Sequence, residues 1–199
     1  MAPPPIPRST TATLSLPPIP TPSYGLGGFF TAACSTRIAA SFVRSVGIDS
    51  QPPCTPEADL PRLNLGTLLT LHVFMDASAP PTAAGRPTPE ELSVLEPIDE
   101  PAAADGAYPA RKGWRIAWRA RPTPLTPVWA LRCERVTELI EVVGPDGGVE
   151  TEYFNWETFH GVLAPVVKLA VGEKMRDGFG RSMEELKRWA EEKAKGGRV

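Results

Sequence analysis

Glu157, which follows Trp156, is the carboxyl in this sequence best suited to acid–base chemistry. Burial against an indole disfavours the charged form of a carboxyl and raises its pKa. The competing expectation is a structural ion pair with an arginine such as Arg115 or Arg132, because carboxylates are rarely buried unpaired. The two histidines, His72 and His160, lie far apart in the chain. Neither has a recognisable third partner, so a structural or solvated role is expected rather than a nucleophile–base arrangement. Cys34, Cys54 and Cys133 show no close spacing. An odd count without a Cys-x-x-Cys pair fits neither a disulfide framework nor a structural zinc site. No metal, no cofactor and no catalytic residue is assigned. Gly25-Leu26-Gly27-Gly28 precedes a strand pattern instead of joining strand to helix, so it fails the context of a phosphate loop.

The composition narrows the classes of partner. The chain has 199 residues, 42% apolar and 22% charged, with a formal net charge of -2. That balance argues against a nucleic-acid partner, and the tryptophans near Arg115, Arg119 and Arg132 are expected to serve core packing and cation–π contacts. No apolar run approaches the roughly 20 residues of a transmembrane helix. Unpaired cysteines suit a reducing compartment, and a cytoplasmic location is expected. A mitochondrial address is the alternative, since no acidic residue precedes Asp49.

The elements that would position these groups follow from periodicity. Most of the 24 prolines gather in three stretches, which mark irregular segments because proline lacks a backbone donor and fixes φ. The reading is a disordered Pro-rich tail over 1–28, a domain over 29–195, and a long insertion at 77–111. Strand patterns cover Phe29–Ala40, Phe42–Ile48, Gly66–Asp76, Gly113–Arg119, Val128–Val143 and Val149–Thr158. In the fifth, the apolar parity switches near Glu134–Val136, which predicts a β-bulge. Gly144-Pro145-Asp146-Gly147-Gly148 predicts the turn of a hairpin. From Leu163 to Ala190 the apolar residues recur every three or four positions, the stripe of one long amphipathic helix.

Strands followed by one long helix predict an α+β fold, a curved antiparallel sheet of about six strands wrapped on the C-terminal helix. Such a sheet leaves a concave apolar space beneath the helix. Its candidate walls are Leu69, Leu71, Val73, Ile116, Trp118, Tyr153, Trp156, Phe159, Leu163 and Val167. The plainer expectation for each is that it fills the core itself.

The run Phe154-Asn155-Trp156-Glu157-Thr158-Phe159-His160-Gly161-Val162-Leu163-Ala164, followed by Val166-Val167-Lys168, resembles the end of the START-related SRPBCC superfamily. It is most similar to the fungal branch described as polyketide cyclase/dehydrase or coenzyme Q-binding START-like. Ser35-Thr36-Arg37-Ile38-Ala39, Leu65-Gly66-Thr67, Val73-Phe74-Met75-Asp76 and Arg135-Val136-Thr137-Glu138 resemble it in the same order. The resemblance implies a helix-grip fold that binds lipids, polyketides or quinone-like molecules, with no universal catalytic residue. It also implies two short helices between the first and second strands. With Phe29–Ala40 as the first strand, no residues remain for them before Phe42. That predicts either an open groove, prone to self-association, or a segment lost from the sequence.

Three functions follow as expectations. The first is binding of a hydrophobic small molecule between sheet and helix. The second is a polyketide cyclase or aromatase-like enzyme, distinguished by Glu157, His72 or Tyr153 pointing into the space beside a partner. The third is a truncated, non-binding interaction protein.

Overall fold

A computed structural model describes residues 14–16, 42–52, 64–76, 78, 80, 83–102, 104, 109–143 and 149–194. The strands are β1 (Leu14–Leu16), β2 (Val43–Ser50), β3 (Leu68–Val73), β4 (Arg86–Glu100), β5 (Arg111–Ala120), β6 (Arg132–Val143) and β7 (Val149–His160). One helix, α1 (Ala164–Ala194), closes the described chain. The sheet order is β1-β7-β6-β5-β4-β3-β2, and every neighbouring pair is antiparallel. Strands β2 to β7 therefore form a meander, and the short β1 adds beside β7. This is the α+β arrangement of a curved sheet and a long C-terminal helix, of helix-grip type.

One face of the sheet carries the main core. Phe42, Leu69, Leu71, Val73, Leu92, Ile116 and Trp118 are buried together, with Val43, Val46, Met75, Leu95 and Phe179 packed against them. The alternation of β3 and β5 produces this directly, because successive strand side chains point to opposite faces. The helix contributes Met183, Leu186 and Ala190 as buried residues, and Phe179 as a half-buried one. Its 31 residues extend about 46 Å. Val167, Val171 and Met175 in the preceding half are only half-buried, so the apolar stripe seats more deeply towards its C-terminal end.

Several expectations change. The stretch 77–111, expected to be an insertion without regular structure, contains β4, the longest strand of the sheet. Residues 128–130 form a turn, and β6 begins only at Arg132. No bulge lies near Glu134–Val136, because β6 pairs without a shift to both β5 and β7. The parity switch has another cause. Thr137, Glu138, Leu139 and Ile140 are all buried, so both faces of mid-β6 are covered. The register shifts lie in β2 and between Leu92 and Val94 of β4.

The expected strand at Phe29–Ala40 and the turn at Gly144–Gly148 lie outside the described residues, as does the Pro-rich tail apart from Leu14–Leu16. Among the described residues, the strand that precedes β2 is β1. The expected absence of two helices rested on Phe29–Ala40 being first. That expectation therefore also lies outside the described residues.

The outer face of the sheet carries an ion-pair ladder. Glu138 accepts hydrogen bonds from Arg111 and, at 2.7 Å, from Nε of Arg115. Arg111 also reaches Glu100 at 3.1 Å, and Arg115 reaches Glu96 at 3.1 Å. The ladder thus crosses β4, β5 and β6 at the level where the other face packs Leu139.

Glycines in α1 report how closely it approaches the sheet. A Cβ on Gly178 would stand 2.2 Å from the Phe42 ring, whereas a Cβ on Gly180 would meet nothing within 4 Å. Gly178→Ala is expected to destabilise the protein by about 1 kcal/mol or more, since overpacking of a buried ring outweighs the gain in helix propensity. Gly180→Ala is expected to stabilise it by up to about 1 kcal/mol. Urea denaturation of the two variants checks the opposite signs.

Candidate functional site

Under the helix, the apolar face is interrupted by a small group of charges. Cross-strand partners share a face, so the register sets who meets whom. Arg135 lies opposite Trp118 on one side and opposite Glu157 on the other. Leu92, Trp118, Arg135 and Glu157 therefore form one row across β4, β5, β6 and β7. The Arg135 guanidinium reaches Glu90 of β4 at 3.3 Å, with both side chains largely buried. It also lies 5.7 Å from the ring centroid of Phe179 on α1, a cation–π arrangement. Phe179 in turn meets Phe42 edge to face, with centroids 5.4 Å apart. The helix thus caps the charge group with an aromatic ring.

The electrostatics follow from this placement. Burial pushes the Glu157 carboxyl up to about 7; Arg135 opposes the rise and Glu90 adds to it. Burial also raises Glu90, with Arg135 opposing. Two carboxyls share one guanidinium, so a proton remains on the group well above the usual carboxylate range. The adjacent Cys133 thiol is pushed up to about 12, by burial first and then by Glu157 and Glu90. It is therefore a poor nucleophile at neutral pH. On the same face, Thr137 lies 3.4 Å from Asn155.

The sequence-derived wall residues divide between these surroundings. Leu69, Leu71, Val73, Ile116 and Trp118 meet in one buried cluster. Tyr153 is buried and Phe159 half-buried on the face of Glu157. Trp156 takes the opposite face, opposite Val136, because it differs from Tyr153, Glu157 and Phe159 by an odd number of positions. Leu163 precedes α1 and is exposed, and Val167 is half-buried. The arginine beside Glu157 is Arg135, not Arg115 or Arg132. Arg115 serves Glu138 on the outer face, and Arg132 is exposed opposite His160. His160 is exposed, and His72 lies on the outer face, opposite Ser45 and Pro87. Neither histidine joins the charge group.

Sequence reading does not single out Glu90. It sits in a segment whose prolines read as a loop, and nothing local marks it as inward-facing. Its signal is Leu92, two residues on and on the same face of a strand. A separate concavity of about 500 Å³ opens at the sheet end between Glu100, Arg111 and Glu141. It mixes charges of both signs and contains none of the predicted wall residues. Among the described residues, no cluster of three potential ligands could hold a metal ion. No described helix is long and apolar enough to cross a membrane.

No family model matches this chain. It is similar to a protein of Penicillium oxalicum named "Oxopyrrolidines biosynthesis cluster protein O", with 29% identity over 129 residues. The match covers 63% of this chain and 60% of that protein. The chain thus resembles a protein of a fungal biosynthesis cluster, and the matched part spans less than two thirds of that relative's length.

Proposed function

We propose that this protein binds a hydrophobic small molecule of secondary-metabolite type on the helix-covered face of its sheet. The observation that carries this reading is the Glu90–Arg135–Glu157 group set into a largely apolar wall between Trp118 and Phe179. An apolar surface with a few convergent polar groups is the usual make-up of a small-molecule site. The aliphatic walls supply contact area, and the carboxyls and guanidinium fix the orientation of an oxygenated ligand. The related cluster protein supports a place in specialised metabolism. The START-like resemblance supports the same class of ligand, a lipid, polyketide or quinone-like molecule.

A second reading is acid–base catalysis of the cyclase or aromatase kind. It is favoured by a specific feature, a carboxyl that titrates near neutral pH beside an arginine. Such a pair can donate or take up a proton from a carbonyl compound held against it.

The test is native mass spectrometry of the full chain purified from a filamentous-fungal host, with solvent extraction of whatever is bound. The expected result is a non-covalent adduct below about 1 kDa, the drug-like size range of such pockets. A bare polypeptide that also fails to bind the neutral apolar dye Nile red would overturn the reading.

A further inference from the structure

Eleven large apolar side chains are exposed among the described residues, and seven of them fall in two short segments at one end of the sheet. Leu125 is 89% exposed and Trp129 72%, with Val128 beside them in the loop between β5 and β6. Leu169 is 91% exposed, with Val162 just before α1 and Val166 in its first turn. The two segments are held together: the Leu163 amide donates to the Ala130 carbonyl at 2.9 Å. Gly161 makes this possible, with φ +100 and a missing Cβ that would stand 2.6 Å from the Ala130 oxygen. A loop tip and the adjoining turn of a helix are thus held side by side, each bearing exposed apolar side chains. Exposed apolar surface gathered at one end of a domain is what interaction sites present.

The charges around it select the partner. Residues 119–134 and 158–170 hold Arg119, Arg121, Arg132 and Lys168 against a single acid, Glu134, in a chain whose net charge is -2. Arg119 pairs with Glu134, and Arg121 with Asp49. Arg132 and Lys168 are exposed and make no ion pair among the described residues. An apolar tip bearing an exposed tryptophan, flanked by two exposed cations that make no ion pair among the described residues, complements the interface of an anionic bilayer. A second copy of this chain would set like charges against each other.

We propose that this end of the molecule docks peripherally on anionic lipid, with Leu125, Trp129 and Leu169 entering the headgroup boundary. Docking there brings the start of the grip helix to the membrane, where apolar ligands partition. The docking surface stands independently of whether such a ligand is bound.

The experiment is co-sedimentation of the full chain with vesicles of phosphatidylcholine, with and without phosphatidylserine, at low and high salt. Binding is expected only with phosphatidylserine, and it weakens as salt rises. The double variant Leu125→Ser, Leu169→Ser should lose tenfold or more in vesicle affinity, and Arg132→Ala with Lys168→Ala several-fold. All four positions are exposed, so the thermal midpoint should not change. Equal binding to both vesicle types, or none to either, overturns the proposal. So does a concentration-dependent dimer abolished by the leucine variants, which would assign the patch to a second copy instead.

Discussion

Replacing Glu157 by glutamine is expected to stabilise the protein above pH 7 and to leave it unchanged below about pH 4. In the folded protein this carboxyl titrates near 7, against an ordinary value of 4.5. The folded state therefore holds the proton more tightly than the unfolded chain does. Below the unfolded value both states are protonated, and the group imposes no penalty. As pH rises from about 4.5 to 7, the unfolded chain releases its proton first, and stability falls. Above 7 both states are ionised and the full penalty stands. A difference of this size corresponds to at most about 3 kcal/mol. Residual solvent access and the nearby guanidinium reduce what is realised. The glutamine side chain retains the shape of the glutamate and never ionises, so urea midpoints at pH 4 and pH 8 should differ less in the variant than in the parent. The contrast is Glu90→Gln. That change removes the charge from the 3.3 Å partner of the largely buried Arg135 guanidinium and is expected to destabilise at neutral pH. If Glu157→Gln loses stability at pH 8, the carboxyl is ionised and paired in the folded state, and the proton-holding site does not exist.

The legible part of this fold is the part whose side chains alternate or repeat cleanly. In β3 and β5 one face is apolar and the other polar, and the helix stripe ends in the buried Met183, Leu186 and Ala190. β4 is illegible because Pro87, Pro89 and Pro97 read as loop signals, since proline is excluded from the middle of a sheet. The register resolves the conflict. β3 pairs with Arg86–Glu91 and β5 with Glu90–Glu100, so β4 is shared end to end rather than sandwiched. Pro87 and Pro89 lie on the half flanked by β3. The Pro89 carbonyl accepts from Arg121 at 2.9 Å on the other side, the side to which the missing proline donors would have pointed. Pro97 lies on the half flanked by β5. Each proline thus occupies a stretch with one ladder partner, where a missing donor costs little. The same prolines conceal Glu90, and with it half of the charge group. Glu157 can be flagged from its neighbour Trp156, yet that tryptophan lies on the opposite face. What buries Glu157 is the row of cross-strand partners, which no local window contains.

Removing the Glu138 carboxylate by Glu138→Ala is expected to cost about 3–5 kcal/mol. Its side chain is 1% exposed and lies between two guanidinium groups, Arg111 and Arg115, each about a quarter exposed. Deleting it leaves two cations side by side on one face of β5 next to a cavity, with no counter-charge between them. Arg111 and Arg115 would retain only the more exposed Glu100 and Glu96. For a domain of this size the loss corresponds to a fall in thermal midpoint of roughly 6–20 °C. Because Glu138 is shielded, high salt should recover little of it. Arg119–Glu134 supplies the control. It joins the same two strands but is 46% and 24% exposed, and Glu134→Ala should cost less than about 1 kcal/mol, most of it removed by salt. The comparison also separates the two faces of β6. Glu138 contributes to stability and lies opposite Phe154 on the outer face, whereas Arg135, three residues earlier, points beneath the helix. A Glu138 variant that still folds should therefore keep the pH response of Glu157, because the sheet between them carries no side chain common to both groups. If that response disappears along with Glu138, the two faces are coupled, and the charge group beneath the helix depends on the outer ladder for its position.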